Sequence, residues 1–552
     1  TEKTSSTTTT PKLASITTEP EQSRSAPVAP PAPAAVAKPG QASPKSPAKA
    51  VSEQGSRPTS PPKQYENMFG ALPDSATLKK QASDLASKNT TELTPGRHVW
   101  YKHERYCWTA ATVKSVGGDG SISVEVDHSD TTGGAASIHE VSQKQQESVI
   151  LALDGTDKSG PNDLMELHDM NEGALLGCLR ARFKRNKIYT WIGPTLISMN
   201  PYADLGLYSQ STIDTFCTDA MSPDLVESPE PHVYAVGAAA FRSLRSDRTN
   251  HSMIISGESG AGKSEATKQM LSFLVFTSSQ SIGQNKTSSP AGLTDKILKS
   301  SYVLEAFGNA KTIRNDNSSR FGKLISLQFS AENGQIMGAS MQHYLLEKSR
   351  VTQQLLSERN YHIFYQLCAG ADPETKARLS LHPAEDFHIL NQGGQTKVDG
   401  LEDASMFSDT KAAMAVIGFQ LDEIEAMLSV LAAILHLGNV TFSERIVADG
   451  SVPEESQCAN MESLKLSAKL MGIGLDDAAL EKAFTSRDIT AAGQITSTPL
   501  DPKAAQTALA AFIRITYDHV FTWIVHHFNR VTESKSSNAA PTISLLGECC
   551  CT

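Results

Sequence analysis

An α/β fold with a mixed central sheet, preceded by a small β module and a long polar tail, is what this sequence predicts. Three patterns predict it. Met253-Ile254-Ile255 is a short apolar run, followed at once by a glycine-rich stretch and then by helical spacing at Met270, Phe273 and Leu274. That order reads as a buried strand, a loop and a helix. Phe321, Ile325, Leu327 and Phe329 share one parity, 332–335 reads as a turn, and 336–341 pairs back as an antiparallel hairpin. Ile122, Val124 and Val126 alternate strictly behind the turn Gly117-Gly118-Asp119-Gly120. Strand–loop–helix units mixed with hairpins point to a mixed sheet.

Taken in order, residues 1–92 differ from the rest. Twelve of the 27 prolines lie before Lys63, and 26–49 is Pro/Ala-rich. Such a segment buries too little apolar surface to offset its ordering entropy, so a disordered tail is expected. Several short strands over 95–142 then suggest a small β-barrel or meander. From Leu153 onward helices mix with short strands. Residues 278–294 read as a polar loop, 297–307, 343–380 and 411–439 as helices, 507–531 as an amphipathic helix, and 543–546 as a last apolar strand. The length of 552 residues allows about three to five domains.

Composition narrows the function classes. The chain is 39% hydrophobic and 20% charged, enough for a substantial core, and its net charge of −10 weighs against nucleic acid as a partner. No run approaches the ~18 consecutive apolar residues that span a bilayer, and no secretory leader is expected at the polar N-terminus. Cys107, Cys178, Cys217, Cys368 and Cys458 are scattered without metal-ligand spacing, which suggests a reducing, cytoplasmic setting.

Two segments carry chemistry. Gly257-Glu258-Ser259-Gly260-Ala261-Gly262-Lys263-Ser264 matches G-x-x-x-x-G-K-[ST] between an apolar strand and a helix. The glycines let backbone N–H groups converge on phosphate oxygens, and the helix adds the positive end of its dipole. Lys263 would reach the β- and γ-phosphates, and the Ser264 hydroxyl would bind Mg²⁺. The second segment is Asn315-Asp316-Asn317-Ser318-Ser319-Arg320-Phe321-Gly322-Lys323. Its two hydroxyls and its arginine suit a γ-phosphate sensor, and Arg320 could hold a carboxylate from another loop.

These stretches, GESGAGKSEATK and NDNSSRFGK joined by LEAFGNAKTIRN, resemble the phosphate loop and switch I of a myosin motor domain. Asn200-Pro201-Tyr202 through Tyr208 resembles the family's purine-binding loop, and YLLEKSR, ERNYHIFY and ILHLGN resemble its upper 50-kDa region. Kinesins share an SSR switch and a phosphate loop, but GESGAGK and the NPY segment do not suit them. The resemblance covers roughly 95–546. It implies a P-loop NTPase motor core over 150–552 (the 25-kDa and upper 50-kDa parts), preceded by an SH3-like β-barrel at 95–142. It implies ATP and Mg²⁺ as ligands, with Lys263 and the loop amides of 257–264 on the phosphates and Ser264 and Ser319 on the metal. Asn315 would contact the phosphates, Ser318 would orient the attacking water, and Asn200, Pro201 and Tyr208 would bracket the adenine. The implied function is an actin-based motor in the cytoplasm and actin cytoskeleton, with actin filaments as partner of the complete head.

The sequence also departs from the family. Ser264 is Thr in most myosins, a mild change. After 543–546 the family runs into the Asp-x-x-Gly-x-Glu loop of switch II. Here Gly547 stands at the Asp position, followed by Glu548, Cys549, Cys550, Cys551 and Thr552. The expectation is an incomplete head, with light-chain and tail partners not encoded and Arg320 lacking its usual acidic partner. The alternative is a motor-dead nucleotide-binding fragment or a truncated gene-model product. The family also places an actin-facing loop near 485–498.

Overall fold

The computed structural model describes residues 93–126, 136–152, 160–168, 170–222, 230–280, 292–445, 455–491, 494–534 and 540–547. The tail expected at 1–92 and the run Cys549, Cys550 and Cys551 lie outside the described residues.

The first strands form an antiparallel meander: β1 (His98–His103), β2 (Cys107–Val116), β3 (Ile122–Val126) and β4 (Ser137–Val141). A fifth, β5 (Val149–Leu151), adds beside β1, giving the order β4-β3-β2-β1-β5. Alternation builds its core: Val99, Ala111, Val113, Ile122, Val124 and Val126 point inward and are buried. Trp108 ties the sheet to the next helix, Glu172–Lys184, by donating from Nε1 to Glu172 at 2.8 Å.

The central sheet has four strands in the order Ile336–Tyr344, Gly322–Phe329, Thr542–Gly547, His251–Ile255. Gly322–Phe329 is antiparallel to both its neighbours, and the last pair is parallel, so the sheet is mixed as expected. The predicted hairpin parity holds: Ile325, Leu327 and Phe329 are buried. The terminal apolar strand lies inside the sheet, between a parallel and an antiparallel neighbour. The phosphate-loop strand is a correction to the buried strand expected. It pairs on one side with Thr542–Gly547, no described strand covers its other edge, and Ile254 is 68% exposed.

Helices differ from the expectation in two places. Within 343–380, residues 345–361 are not a regular helix. They form a short 3-10 turn at Lys348–Val351 and then irregular chain up to His362–Gly370. Buried polar bonds hold this stretch: Arg350 Nη1 donates to Glu358 at 2.9 Å, and Asn360 Nδ2 donates to the carbonyls of Val351 and Ile389 at 2.9 Å each. The 411–439 region is two helices, Asp403–Ile417 and Leu421–Gly438, broken at Gly418, whose φ of 113° belongs to the left-handed region open to glycine.

The long helix Pro502–Thr532 starts at an Asp501 cap that accepts from the Ala504 N–H. By length and composition it is apolar enough to cross a membrane. Its buried residues Leu509, Ile513, Tyr517, Phe521, Ile524 and Phe528 recur at helical spacing and pack into the main core. Tyr517 stacks on Tyr361 at 5.0 Å and donates to the Phe307 carbonyl at 2.7 Å. These contacts fix the floor beneath the second chemical segment. The loop compared with the family's actin-facing one is a hairpin, Ser486–Ala491 with Gln494–Pro499.

Candidate functional site

The glycine-rich loop connects His251–Ile255 to the helix Lys263–Gln280. Gly260 and Gly262 take φ of +82° and +95°, where a side chain would strain the backbone. This curl aims the first helical turn at a cavity of about 450 Å³ lined by Ser259, Gly260, Gly262, Lys263 and Ser264. Lys263 Nζ donates to the carbonyls of Gly257 at 2.6 Å and Glu258 at 2.9 Å. The ammonium is therefore held over the loop.

The opposite wall is the second segment. The strands Asn309–Ala310 and Ser318–Ser319 pair antiparallel, with Ser318 opposite Ala310 and Ser319 opposite Asn309. Between them the Thr312 N–H donates to the Asn315 carbonyl at 2.8 Å, and Lys311 pairs with Asp316. Asn315, Asn317, Ser318 and Ser319 all line the cavity. The two walls meet hydroxyl to hydroxyl, Ser264 Oγ to Ser319 Oγ at 2.9 Å and Ser259 Oγ to Ser318 Oγ at 3.2 Å. Residues 55 and 59 positions apart in the chain thus converge on one point.

That convergence tests the fit to Mg²⁺. Adjacent oxygens of an octahedral shell with bonds of about 2.1 Å lie about 3.0 Å apart. The direct Ser264–Ser319 hydrogen bond, at 2.9 Å, leaves the two oxygens at a spacing that such a shell accommodates. Two neutral hydroxyls beside this cavity are oxygen donors of the kind this hard cation accepts.

Arg320, expected to lack the switch II carboxylate, has a different acid beside it. Its Nε donates to Glu347 Oε2 at 2.6 Å, and Nη1 donates to Ser318 Oγ at 3.3 Å. Glu347 also accepts from Arg350 Nε at 2.8 Å. The YLLEKSR segment carries this acid, but nothing in its local pattern pairs it with a position 27 residues earlier. Burial alone would raise the Glu347 pKa. The hydrogen bonds and charges of Arg350 and Arg320 outweigh it and hold the carboxyl below its ordinary value. A depressed carboxylate pKa stabilises the fold above the ordinary value, about 4.3, and the contribution is lost as pH falls through the lower folded value. The difference in urea midpoint between the parent and Glu347→Gln is therefore expected to be largest near about pH 7 and to shrink below about pH 4. A difference independent of pH would show that the carboxylate charge is not what matters.

The purine-loop residues are only partly brought together. Asn200 Nδ2 donates to the Gly260 carbonyl at 2.6 Å, which joins that loop to the phosphate loop. Pro201 and Tyr208 are not among the residues lining the cavity, whereas Tyr202 is. The Tyr208 hydroxyl bonds to the Tyr189 hydroxyl at 2.8 Å, and its ring packs on His232 and Tyr234. Sequence reasoning missed Lys268 and Glu305 on the cavity wall, which Lys323 and Gly547 also line. Lys268 and Glu305 pair at 2.8 Å. Lys323 stands opposite Gly547 across the sheet, and burial pushes its ammonium pKa down.

A family model described as myosin head (motor domain) matches residues 161–547. The chain is 40% identical over 390 residues to unconventional myosin-Ic of Mus musculus, covering 70% of this chain and 35% of that protein. It is 36% identical over 439 residues to myosin-5 of Arabidopsis thaliana (79% and 27%) and 38% identical over 377 residues to myosin-I heavy chain of Dictyostelium discoideum (68% and 15%). The chain therefore spans about a third or less of the length of these curated relatives.

Proposed function

The chain belongs to the myosin head family, and from that premise we propose that its two facing loops bind ATP with Mg²⁺ and, in the complete head, hydrolyse it to drive movement along actin filaments. The observation that carries this reading is the convergence of Ser259, Ser264, Ser318 and Ser319 beside Lys263. Lys263 and the loop N–H groups hold the phosphates and offset their charge. Ser264 and Ser319 hold the metal. Held by these two hydroxyls, the metal would supply positive charge to offset that of the phosphates. Asn315 contacts the phosphates, Ser318 orients the attacking water, and Arg320, steadied by Glu347, keeps the Ser318 hydroxyl in place. Asn200 joins the base-binding loop to the phosphate loop, with Pro201 and Tyr208 as further adenine contacts. We read the five-stranded meander as the SH3-like module preceding the motor core, and the setting as the actin cytoskeleton of the cytoplasm.

Nucleotide binding without turnover is a second reading, favoured by Gly547. The strand end places backbone and no carboxylate on the cavity wall opposite Lys323.

A fluorescent ATP-analogue titration with Mg²⁺ as the variable tests the site. The parent is expected to bind with an affinity that rises on adding Mg²⁺. Ser264→Ala and Ser319→Ala are each expected to raise the Mg²⁺ concentration at half-effect about tenfold, the loss of one hydroxyl ligand at about 1.4 kcal/mol. A parent that ignores both nucleotide and metal would remove the basis of the assignment.

A further inference from the structure

We propose that His362, as the neutral Nε2–H tautomer, is a positioning residue that sets the metal-binding geometry of the Ser318–Ser319 strand through Asn317. This rests on the nucleotide-site reading above. The argument begins with the Asn317 amide. Its Nδ2 donates to Glu305 Oε2 at 3.3 Å, and a carboxylate is an acceptor only. The other end of the amide, Oδ1, therefore faces the opposite side, where Asn309 Nδ2 lies at 2.9 Å and His362 Nε2 at 3.1 Å. An amide oxygen has two acceptor sites, and Asn309 fills one. His362 Nε2 must then carry the proton and fill the other.

The ring is built for this. It lies at the start of the helix His362–Gly370 and is 1% exposed. Burial first, and then the nearby Arg359 guanidinium, push its pKa down to about 3, while Asp316 opposes this. The imidazole is neutral and holds a single ring proton. Nδ1 is buried without a hydrogen-bond partner, so the Asn317 bond is the one polar contact the ring makes among the described residues.

The consequence reaches the proposed metal ligand Ser319 through two peptide bonds. Asn317 precedes Ser318 and Ser319, and its amide is tied at three points from three elements. Ser319 pairs with Asn309, the residue that shares the Asn317 oxygen with His362. Without the histidine donor the amide loses one of two restraints on its oxygen. The Ser319 hydroxyl then ranges more widely around its 2.9 Å approach to Ser264.

The test uses the 552-residue chain with His362→Phe, which fills similar space without a donor, and His362→Gln, whose amide restores an N–H near the position of Nε2. Fluorescent ATP-analogue affinity is measured in EDTA and across a Mg²⁺ series. For Phe, the Mg²⁺ concentration at half-effect is expected to rise about five- to tenfold, while affinity in EDTA stays within about twofold of the parent. Gln is expected to return the Mg²⁺ response to within about twofold. Three results overturn the proposal: a Phe variant with the parental Mg²⁺ response, a Gln variant as impaired as Phe, or a parallel loss in EDTA, which would mark a merely structural role. A parent without Mg²⁺-dependent binding instead overturns the nucleotide-site reading itself.

Discussion

Lys263→Ala is expected to weaken binding of an ATP analogue by at least about 100-fold, about 2.7 kcal/mol. In the structure the ammonium spans two neutral carbonyls, Gly257 and Glu258. Phosphate oxygens offer it charged acceptors instead, and charge-assisted bonds are about twice as strong as neutral ones. Alanine keeps the helix start, because it is the best helix former. The loss should therefore appear in binding and not in folding. Fluorescent titration reads the first, and the melting temperature of the free protein reads the second. Lys263→Arg is expected to rescue little, since a planar guanidinium on a longer fork does not fit the curl of Gly257 to Gly262. A Lys263→Ala variant that titrates like the parent would mean that nucleotide binds elsewhere.

Asp403→Ala is expected to cost about 3–5 kcal/mol of stability, because it strands a buried charge. Arg359 is fully buried, and its Nη2 donates to both Asp403 oxygens, at 3.0 and 2.8 Å. Its guanidinium lies 3.7 Å from the centre of the Tyr365 ring. Burial raises the Asp403 pKa more than Arg359 lowers it. The pair is therefore no large net source of stability, and the cost arises when one partner is removed alone. Arg359→Met combined with Asp403→Ala is expected to recover much of the loss. The position also has reach: the Arg359 N–H donates to the Lys311 carbonyl at 3.1 Å, and its carbonyl accepts from Arg350 at 3.1 Å. Urea midpoints of the two single variants and the double variant decide the point. A double variant as unstable as the sum of the singles would show that the two side chains act independently.

Much of the site is legible in the sequence alone. The phosphate loop is a run of consecutive residues whose glycines, lysine and hydroxyl act through backbone geometry that those positions themselves specify. The hairpin 322–344 is legible for the same reason, since a period of two decides which face is buried. Even Ser264 and Ser319 stand out, because each sits in a pattern complete within its own segment. The irregular stretch 345–361 is not legible. Its apolar residues mimic helical spacing, while Arg350 and Asn360 satisfy backbone carbonyls from a distance and Glu358 holds Arg350.

Sequence by itself singled out the local segments proposed to bind phosphate and metal, and determined what conformation most of them take. Tertiary structure decided how those segments are completed. Glu347 reaches Arg320 across 27 positions, and His362 reaches Asn317 across 45. Tyr208 turns toward Tyr189, and strand register sets Gly547 against Lys323. The reason is physical: backbone periodicity is set by steric and hydrogen-bonding rules that span a few residues. The partner a side chain meets is set by how helices and strands far apart in the chain pack into one core.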